Sequence, residues 1–320
     1  MTDYTEHIDS LPDKTGAQHD QALDEMLRLY RVDLQPNFFS EIMLQKKTVG
    51  STEGDTADLF VPGCMFQAVE PQLVEMVFDW LSERGLADTL YPACCGNILS
   101  FSAPEDKTIK KQFAQKGIAE LNELKVKRII TSCPNCYYTY RSWAEEARNT
   151  IEVRALSEVM LEQGVSIEQG IAADDVAPFD LSGITFSIHD ACPDKAQGVF
   201  AESVRALFKD LPMKEMEHCR SRTMCCGFGR LLGVCKPKAS VFINSRREEE
   251  FLETEADVLV NYCFTCANAF NYLAVAGRAA HYLELLFHHQ IDWTEAEIRM
   301  TEALEKVQRS IEAEKEGVGS

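Results

Sequence analysis

Twelve cysteines occur in the chain, and ten of them form two sets of five at nearly the same spacing. Each set has a single cysteine, then two adjacent cysteines, then a pair separated by two residues. The first set comprises Cys64, Cys94, Cys95, Cys133 and Cys136, and the second comprises Cys192, Cys225, Cys226, Cys263 and Cys266. Thiolates are strong ligands for zinc and for iron–sulfur clusters. The pattern therefore predicts a duplicated unit with one metal centre in each copy.

Adjacent cysteines are poorly suited to bond with each other. Consecutive Cα atoms are about 3.8 Å apart, whereas a disulfide usually needs about 4.4–6.8 Å. The doublets instead place two thiolates side by side toward one centre. Gly96 and Gly227 follow the doublets, as expected where the backbone turns tightly. Each Cys-x-x-Cys pair opens a predicted helix, where free amide groups favour the thiolate.

The number of cysteines limits the kind of centre. Structural zinc takes four ligands, and an ordinary cubane cluster also needs only four, so five thiolates exceed both. Five cysteines with a doublet favour an opened iron–sulfur cluster in which one thiolate bridges two irons. A zinc site with a spare cysteine would use most of the pattern, and a redox dithiol at each Cys-x-x-Cys would use a smaller part of it.

Other residues near the cysteines have a structural and a functional interpretation. Cys219 and Cys235 have no counterpart in the first half, so we expect buried thiols, or else groups that support the second centre. His189 and Asp190 precede Cys192, and they could close a strand or hydrogen-bond the cluster or a substrate. Three aromatic residues are expected to pack in a core or interface, namely Tyr137, Tyr138 and Tyr140. Three basic residues could offset cluster charge, meet an anionic substrate or be solvated, namely Arg220, Arg222 and Arg230.

The order of predicted elements is the same in both halves. A strand leads to the single cysteine, a second segment to the doublet and a third strand to the Cys-x-x-Cys pair, with helices between them. Strands are predicted at 59–61, 88–92, 126–131, 184–189, 213–218 and 258–260, and helices at 20–31, 71–84, 104–124, 195–209 and 238–253. This alternation predicts an α/β fold of two pseudo-repeated cysteine-rich domains with mostly parallel sheets. The three cysteine groups of each half should then converge at the carboxyl edge of a sheet.

Composition divides the chain into five segments. They are a polar, loosely attached leader at 1–55, a first cysteine-rich domain at 56–160, a linker at 161–183, a second cysteine-rich domain at 184–291, and a C-terminal helix and tail at 292–320. Capping boxes are predicted from Ser102 with Glu105 and from Thr294 with Glu297. The C-terminal helix has an apolar stripe that could dock on the core or bind a partner. The stripe comprises Met300, Leu304, Val307 and Ile311.

The charge and the apolar pattern limit the partners. The net charge of −19 argues against nucleic acid or an anionic membrane surface as the main partner, because both need basic patches. The first residues do not form a secretory signal, and the most apolar long stretch, 272–287, contains Arg278 and Glu284. We therefore expect a cytoplasmic protein without a transmembrane segment, whose cysteines are thiols or metal ligands.

Several segments resemble the duplicated cysteine-rich, or CCG, domain of the B-type subunit of heterodisulfide reductase and its relatives. The resemblance covers roughly residues 57–290 and rests on both five-cysteine sets, and on the segments 189–192, 225–229 and 263–266. It implies that each set, as named above, binds a noncubane [4Fe–4S] cluster. It also implies that a disulfide is split between the two clusters with electrons that arrive one at a time.

The resemblance also implies a subunit rather than a complete electron-transfer chain. No Cys-x-x-Cys-x-x-Cys run for a cubane relay occurs, and Gly227-Phe228-Gly229 lacks the third glycine of a dinucleotide loop. We therefore expect no NAD or flavin in this chain, and a separate ferredoxin-like iron–sulfur or flavoprotein donor. The expected substrate is a small disulfide or thiol. The alternatives are a non-catalytic electron-transfer subunit that links a dehydrogenase to a quinone or membrane partner, and a zinc-binding assembly factor.

Overall fold

The structure is a computed structural model that describes residues 17–49, 57–103, 106–148, 150–171, 177–229, 231–273 and 277–317. Within these ranges the chain forms fourteen α-helices and eight strands. The helices are α1 (Ala17–Arg28), α2 (Phe38–Ile42), α3 (Cys64–Val69), α4 (Pro71–Glu83), α5 (Leu99–Ser102), α6 (Lys107–Glu123), α7 (Pro134–Ala147), α8 (Leu156–Glu162), α9 (Val199–Leu207), α10 (Leu232–Cys235), α11 (Pro237–Glu253), α12 (Phe264–Leu273), α13 (Tyr282–Leu286) and α14 (Trp293–Gly317). The strands are β1 (Lys47–Thr48), β2 (Ala57–Val61), β3 (Thr89–Leu90), β4 (Val126–Thr131), β5 (Glu152–Ala155), β6 (Phe186–His189), β7 (Val258–Asn261) and β8 (Ala279–His281).

The two halves contain sheets of five and three strands in which the corresponding strands follow the same order. The first sheet is β1-β3-β2-β4-β5, and its strands are parallel except β1, which runs antiparallel to β3. The second sheet is β6-β7-β8 and is parallel throughout. A single parallel bridge joins Phe186 to Met213 where the first sheet has β3. The α/β fold with mostly parallel sheets and two repeated units is therefore confirmed.

Some predicted elements differ from those observed. The strand predicted at 213–218 is reduced to the bridge at Met213, because the His218 backbone turns to donate to Glu250 Oε2 at 3.2 Å. The helix predicted to begin at 104 begins at Lys107, since Asp106 caps it by accepting the Thr108 N–H at 2.9 Å. Glu105, the partner expected for Ser102, lies outside the described residues.

The repeat is longer than the cysteine spacing indicates. After each Cys-x-x-Cys helix comes a short strand and a short helix, β5 with α8 and β8 with α13. In both helices the third residue is a glutamate that accepts the N–H of the capping residue, Glu158 from Ala155 at 3.3 Å and Glu284 from His281 at 2.6 Å. These strands have at most one β-branched or aromatic residue each, whereas β6 and β7 have two, so the sequence pattern did not predict them.

Both chain ends pack on the first half. Residues 17–49, the described part of the expected leader, are not loosely attached, since Phe38 and Phe39 are only 3% and 4% exposed and β1 joins the first sheet. Helix α14 packs on α2 and α3, with Val307 fully buried. The apolar stripe of α14 thus docks on the core. The helix is capped by Asp292 rather than by Thr294, because Asp292 accepts the Glu295 N–H.

The segment predicted as a linker packs against the second half. The Ile167 N–H donates to the Leu207 carbonyl at 2.9 Å, and the Ile171 N–H donates to the Leu286 carbonyl at 2.6 Å. Ile167 is fully buried in a core cluster that includes residues of both halves. The domain bounds at 56–160 and 184–291 stay a prediction. None of the helices in the described ranges has the length and apolar character needed to cross a membrane.

Aromatic stacking joins the halves within the shared core. Phe66 of α3 stacks on Phe264 of α12 with ring centroids 4.0 Å apart and planes 10° apart, and Phe264 stacks in turn on His281 at 3.7 Å. Phe66 and His281 are almost completely buried. The stack therefore contributes both buried apolar area and a specific orientation of one half on the other.

Replacement of Phe66 by Ala should lower the free energy of unfolding of the metal-free protein by about 3–5 kcal/mol, because the cavity lies in a packed interface. Urea denaturation followed by far-UV circular dichroism measures this change. Phe242 offers a matched control, since it is 59% exposed, and Phe242→Ala should change stability by less than about 0.5 kcal/mol. Equal effects from the two variants would contradict the role of the stack.

Candidate metal centre

The cysteines lie where strands end, at the carboxyl edges of the two sheets. Strand β2 ends three residues before Cys64, which opens α3, and β4 ends just before Cys133, the N-cap of α7. In the second half, β6 leads to Cys192 in a short 3-10 turn (Cys192–Asp194), and β7 leads to Cys263 ahead of α12. The predicted convergence of the cysteine groups at these edges is therefore observed.

Nine of the ten repeated cysteines line one cavity of about 670 Å³ between the halves. They are Cys64, Cys94, Cys95, Cys133, Cys136, Cys192, Cys226, Cys263 and Cys266. Cys225, the tenth, is not among the lining residues, but it hydrogen-bonds Cys192 and Cys226, which are. Both sets therefore face one shared space and are not separate sites on opposite sides of the molecule.

The two doublets have the same local geometry. Gly96 and Gly227 have positive φ values of 74° and 85°, as the sequence predicts for a tight turn. Each glycine N–H donates at 3.4 Å to the Sγ of the first cysteine of its doublet, Cys94 or Cys225. A side chain at Gly227 would place a Cβ 2.4 Å from the Ser240 carbonyl oxygen, so only glycine fits there.

Within each set, the sulfur atoms hydrogen-bond one another. In the second set the contacts form an unbroken series from Cys192 through Cys225, Cys226 and Cys266 to Cys263. The hydrogen bond with Cys192 lowers the pKa of Cys225 to about 2, and the one with Cys266 lowers the pKa of Cys263 to about 7. The hydrogen bond with Cys225, followed by burial, raises the pKa of Cys192, so protons and negative charges are shared along the series.

The first set shows the same sharing. The hydrogen bond with Cys94, followed by burial, raises the pKa of Cys64 well above its usual range. Hydrogen bonds with Cys133 and Cys95 do the same to the pKa of Cys136, whereas the bond with Cys136 lowers the pKa of Cys95. Cys133 also interacts electrostatically with Cys263 of the other set. The two sets are therefore close neighbours across the cavity.

Asp190 fixes the loops around the second set. Its carboxylate accepts hydrogen bonds from both terminal nitrogens of Arg205 at 2.7 and 2.8 Å, from the Arg220 backbone N–H at 2.5 Å and from the Tyr262 hydroxyl at 3.3 Å. Its carbonyl accepts the Thr223 hydroxyl at 2.7 Å. These donors come from the segments that precede the second doublet and the second Cys-x-x-Cys pair. Asp190 therefore has a structural role, and it is only 1% exposed.

Each half also holds the first cysteine loop of the other. Tyr138 of α7 donates its hydroxyl to Asp194 at 2.5 Å, two residues beyond Cys192. At the corresponding place in the other half, α12 packs on α3, where Phe66 lies two residues beyond Cys64. The two contacts relate the halves by approximate symmetry, although one is polar and the other is aromatic.

His189 lies at the end of β6, beside the second set. It is fully buried, and a ring nitrogen lies within 4.8 Å of the sulfur atoms of Cys226 and Cys266. Its Nδ1 faces Arg247, whose Nε and terminal nitrogen are 3.4 and 3.3 Å away. Burial, followed by the Arg247 charge, lowers the pKa of His189 well below its usual range, so the ring is neutral.

Arg247 is the functional candidate that sequence patterns missed. It lies in a run of charged residues on α11, and such a run is typical of a solvated helix face. It is fully buried all the same, paired with Glu250 and adjacent to His189. The burial of Arg247 could have been inferred from helical spacing, because Arg247 lies on the same face of α11 as the buried Ser240 and Asn244.

Of the other residues singled out near the cysteines, Tyr138 lines the cavity and most of the rest lie away from its wall. Cys219 and Cys235 do not line it, and neither hydrogen-bonds another cysteine among the contacts of the described residues. Arg220 pairs with Glu202 and Glu215 at 2.8 Å instead of facing an anion site. Arg222 is exposed, and Arg230 lies outside the described residues. Tyr137 and Tyr140 are buried in the cores, as expected.

The sequence matches the family model of the cysteine-rich domain, CCG, twice, at residues 59–141 and 186–271. These ranges cover more than half of the chain. The chain belongs to the CCG cysteine-rich domain family. Every cysteine of the two sets falls within the matched ranges, so the family's repeated unit is the unit that the cysteine spacing defines.

Two curated relatives are similar to parts of the chain. A probable iron–sulfur-binding oxidoreductase FadF of Bacillus subtilis is 26% identical over 159 residues, 49% of this chain and 22% of that protein. The D-type subunit of the dihydromethanophenazine:CoB–CoM heterodisulfide reductase of Methanosarcina barkeri is 24% identical over 183 residues, 54% of this chain and 42% of that protein. This CCG protein therefore spans less than half the length of either relative.

A solved structure has a slight overall likeness to the chain. It is the crystal structure of a hypothetical protein from Helicobacter pylori, with a TM-score of 0.45 and 10% identity over 91% of this chain and 61% of that one.

The donor set of the cavity fits a sulfur-ligated metal centre. Glu297 is the one carboxylate among the described residues that line the cavity, so thiols are by far the main ligand type. Sulfur ligands select zinc and iron–sulfur clusters over hard cations. Several of the thiols keep their protons as they stand, and metal binding would release those protons.

Replacement of Asp190 by Ala should lower the free energy of unfolding by about 3–5 kcal/mol, because it removes the buried partner of Arg205 and leaves only the partly exposed Glu215. Urea denaturation of the metal-free protein measures the loss. Mass spectrometry after brief alkylation should also show faster labelling of Cys192 and Cys225. Glu249→Ala is the control, since it breaks the exposed ion pair with Arg246 and should cost less than about 1 kcal/mol. Unchanged stability and labelling in Asp190→Ala would contradict the structural role.

Proposed function

We propose that the protein is the iron–sulfur subunit of an oxidoreductase and that it resembles the B-type subunit of heterodisulfide reductase. It reduces a disulfide or similar two-electron acceptor at two noncubane [4Fe–4S] clusters. The observation that carries the proposal is the opening of both five-cysteine sets into one cavity. The ligands of the first cluster are Cys64, Cys94, Cys95, Cys133 and Cys136, and those of the second are Cys192, Cys225, Cys226, Cys263 and Cys266.

The similar proteins support the chemistry in general terms. One is a probable iron–sulfur-binding oxidoreductase, and the other belongs to a heterodisulfide reductase. Two centres beside one cavity suit a reaction that needs two electrons, because each centre supplies one. The clusters, when bound, would carry the electrons, and the protein would determine access and local polarity.

The cavity walls determine what can reach the cysteines. Residues from both chain ends form part of the wall, where Phe38 and Phe39 pack in one apolar cluster with Met300 and Leu304. These apolar side chains make that part of the wall hydrophobic. Glu297 is the sole charged side chain among the described lining residues, so an acceptor without a large negative charge fits best.

Electrons must reach the cavity from outside the chain. The sequence has no cubane motif and no dinucleotide loop, so we propose a separate iron–sulfur or flavoprotein donor subunit. Helix α14, which could have bound such a partner, buries Val307 against its own chain, so the donor should use another surface. A cytoplasmic location also belongs to this proposal.

The protein purified without oxygen should contain about eight irons and about eight acid-labile sulfides per chain, because each five-cysteine set holds one four-iron cluster. Cys226→Ser should lose about half of the iron. Cys219→Ser should retain it, because Cys219 does not line the cavity. Iron, sulfide and zinc analysis of the three proteins measures the result. Full zinc occupancy without sulfide, or equal iron loss from both variants, would contradict the ligand assignment.

The iron-loaded chain should reduce a small disulfide when an artificial low-potential donor supplies electrons, and it should fail to oxidise NADH. Thiol formation and donor oxidation, followed under anaerobic conditions, measure the two activities. The Cys226→Ser protein is the control for turnover by loosely bound iron. NADH oxidation by the isolated chain would contradict the subunit assignment. Loaded clusters without disulfide turnover would instead favour a non-catalytic electron-transfer subunit.

A further inference from the structure

The strands that end beside the two centres differ in chemistry at equivalent positions. In the second sheet the final residues His189, Asn261 and His281 lie side by side in register. In the first sheet the same positions are occupied by smaller residues, two of them apolar, which are Val61, Thr131 and Ala155. All six are fully buried. The second centre therefore has polar groups beneath it at positions where the first has Val61 and Ala155.

The two halves also differ at one position of a pair of helices that have equal length. Helices α6 and α11 follow the two doublets, and each has 17 residues. Arg247 is the eleventh residue of α11, and Gly117 is the eleventh residue of α6. A Cβ at Gly117 would lie 2.4 Å from the Trp143 ring, so the first half fills this position with an indole. A cation therefore lies beside His189 in the second half, whereas the same position along the helix in the first half is a glycine covered by Trp143.

Arg247 determines which nitrogen of His189 carries the proton. A guanidinium has only N–H donors, so the Nδ1 atom that faces it at 3.3–3.4 Å must be an acceptor. The proton of the neutral ring is then on Nε2. Glu250 holds Arg247 in place through an ion pair, and its other oxygen lies 2.7 Å from His218 Nδ1.

The protonated nitrogen of His189 has no partner among the described residues. Nε2 is buried and makes no hydrogen bond to them, although a buried polar atom left unpaired is costly. The sulfur atoms of Cys226 and Cys266 lie within 4.8 Å of the ring. A nitrogen that carries a proton cannot ligate a metal, but it can donate to a sulfur atom.

We propose that His189 donates its Nε2–H to a sulfur of the second centre, and that Arg247, by fixing the tautomer, makes this centre more easily reduced than the first. The inference rests on the proposed iron–sulfur function. A hydrogen bond to a cluster sulfur favours the form that has gained an electron. The charge of Arg247 is paired with Glu250, so Arg247 acts on the centre through the tautomer of His189. His189 and Arg247 are positioning residues, because they act on the centre without binding the acceptor.

Redox titration of the iron-loaded protein without any acceptor, followed by electron paramagnetic resonance, tests the proposal. His189→Val introduces the residue type found at Val61. This variant should keep its iron. The equilibrium constant for reduction of one centre should fall about tenfold, which lowers its potential by about 59 mV for a one-electron couple, and the other centre should not change. His189→Gln should recover part of the difference, since its amide nitrogen can still donate.

Arg247→Gln should shift the same centre in the same direction. Arg246→Gln is its matched control, because Arg246 is the exposed neighbour with the same charge and should change neither centre. Unchanged potentials in His189→Val would overturn the proposal. Iron loss from His189→Val equal to that from Cys226→Ser would overturn it as well, because His189 would then be a ligand.

Nitrogen NMR of the metal-free protein separates this inference from the proposed function. The wild-type protein should show His189 with Nε2 protonated and Nδ1 bare, and Arg247→Gln should show a mixture of tautomers. A wild-type ring with Nδ1 protonated would refute the tautomer argument even if iron binds as proposed. The expected tautomer in a protein that binds no iron would leave the local geometry correct, but would overturn both the function and the donation to a cluster.

Discussion

Asp190 is the buried carboxylate on which the loops of the second centre depend. A buried charge is costly unless it is paired and hydrogen-bonded, and Asp190 receives donors from Arg205, Tyr262 and the Arg220 backbone. Each donor comes from a different segment. Moving any of these segments would leave the buried carboxylate without a donor, which costs free energy, so the segments are held in one arrangement. The loops that carry Cys192 and the second doublet are therefore fixed by residues that leave the thiols free for a metal.

The first half reaches a similar geometry with neutral groups. Ser132, the residue before its Cys-x-x-Cys pair, donates its hydroxyl to the Pro62 carbonyl at 2.7 Å, at the place where Tyr262 and Asp190 meet in the second half. A short neutral hydrogen bond thus replaces an ion-pair network. The repeat conserves the positions of the cysteines but changes their surroundings, so two centres with identical ligand sets would have different local polarity. In the terms of the proposed function, inequivalent potentials would follow from this difference without any change of ligand.

The sequence predicted the parts of the molecule that local patterns determine. Strand β4 has the predicted bounds, 126–131, because four of its six residues are β-branched, and three of these, Ile129 to Thr131, are consecutive. The cysteine sets and the glycines after the doublets also lie as expected. The sequence did not predict the burial of Arg247 or of Phe38, because each is buried by residues far away in the chain. Strands β5 and β8 were missed because they have few β-branched or aromatic residues, one in Glu152–Ala155 and none in Ala279–His281, whereas β6 and β7 have two each.

The two halves cannot be regarded as independent metal-binding domains joined by a linker. Tyr138 of the first half holds the turn after Cys192 through Asp194, and Phe264 of the second half holds α3 after Cys64 through Phe66. Each first cysteine loop is thus supported by the helix that follows the Cys-x-x-Cys pair of the other half. A half on its own would lose that support and would expose its share of the common core. Duplication here supplies a second set of ligands and also the scaffold for the first, and this explains why both sets open into one cavity between the halves.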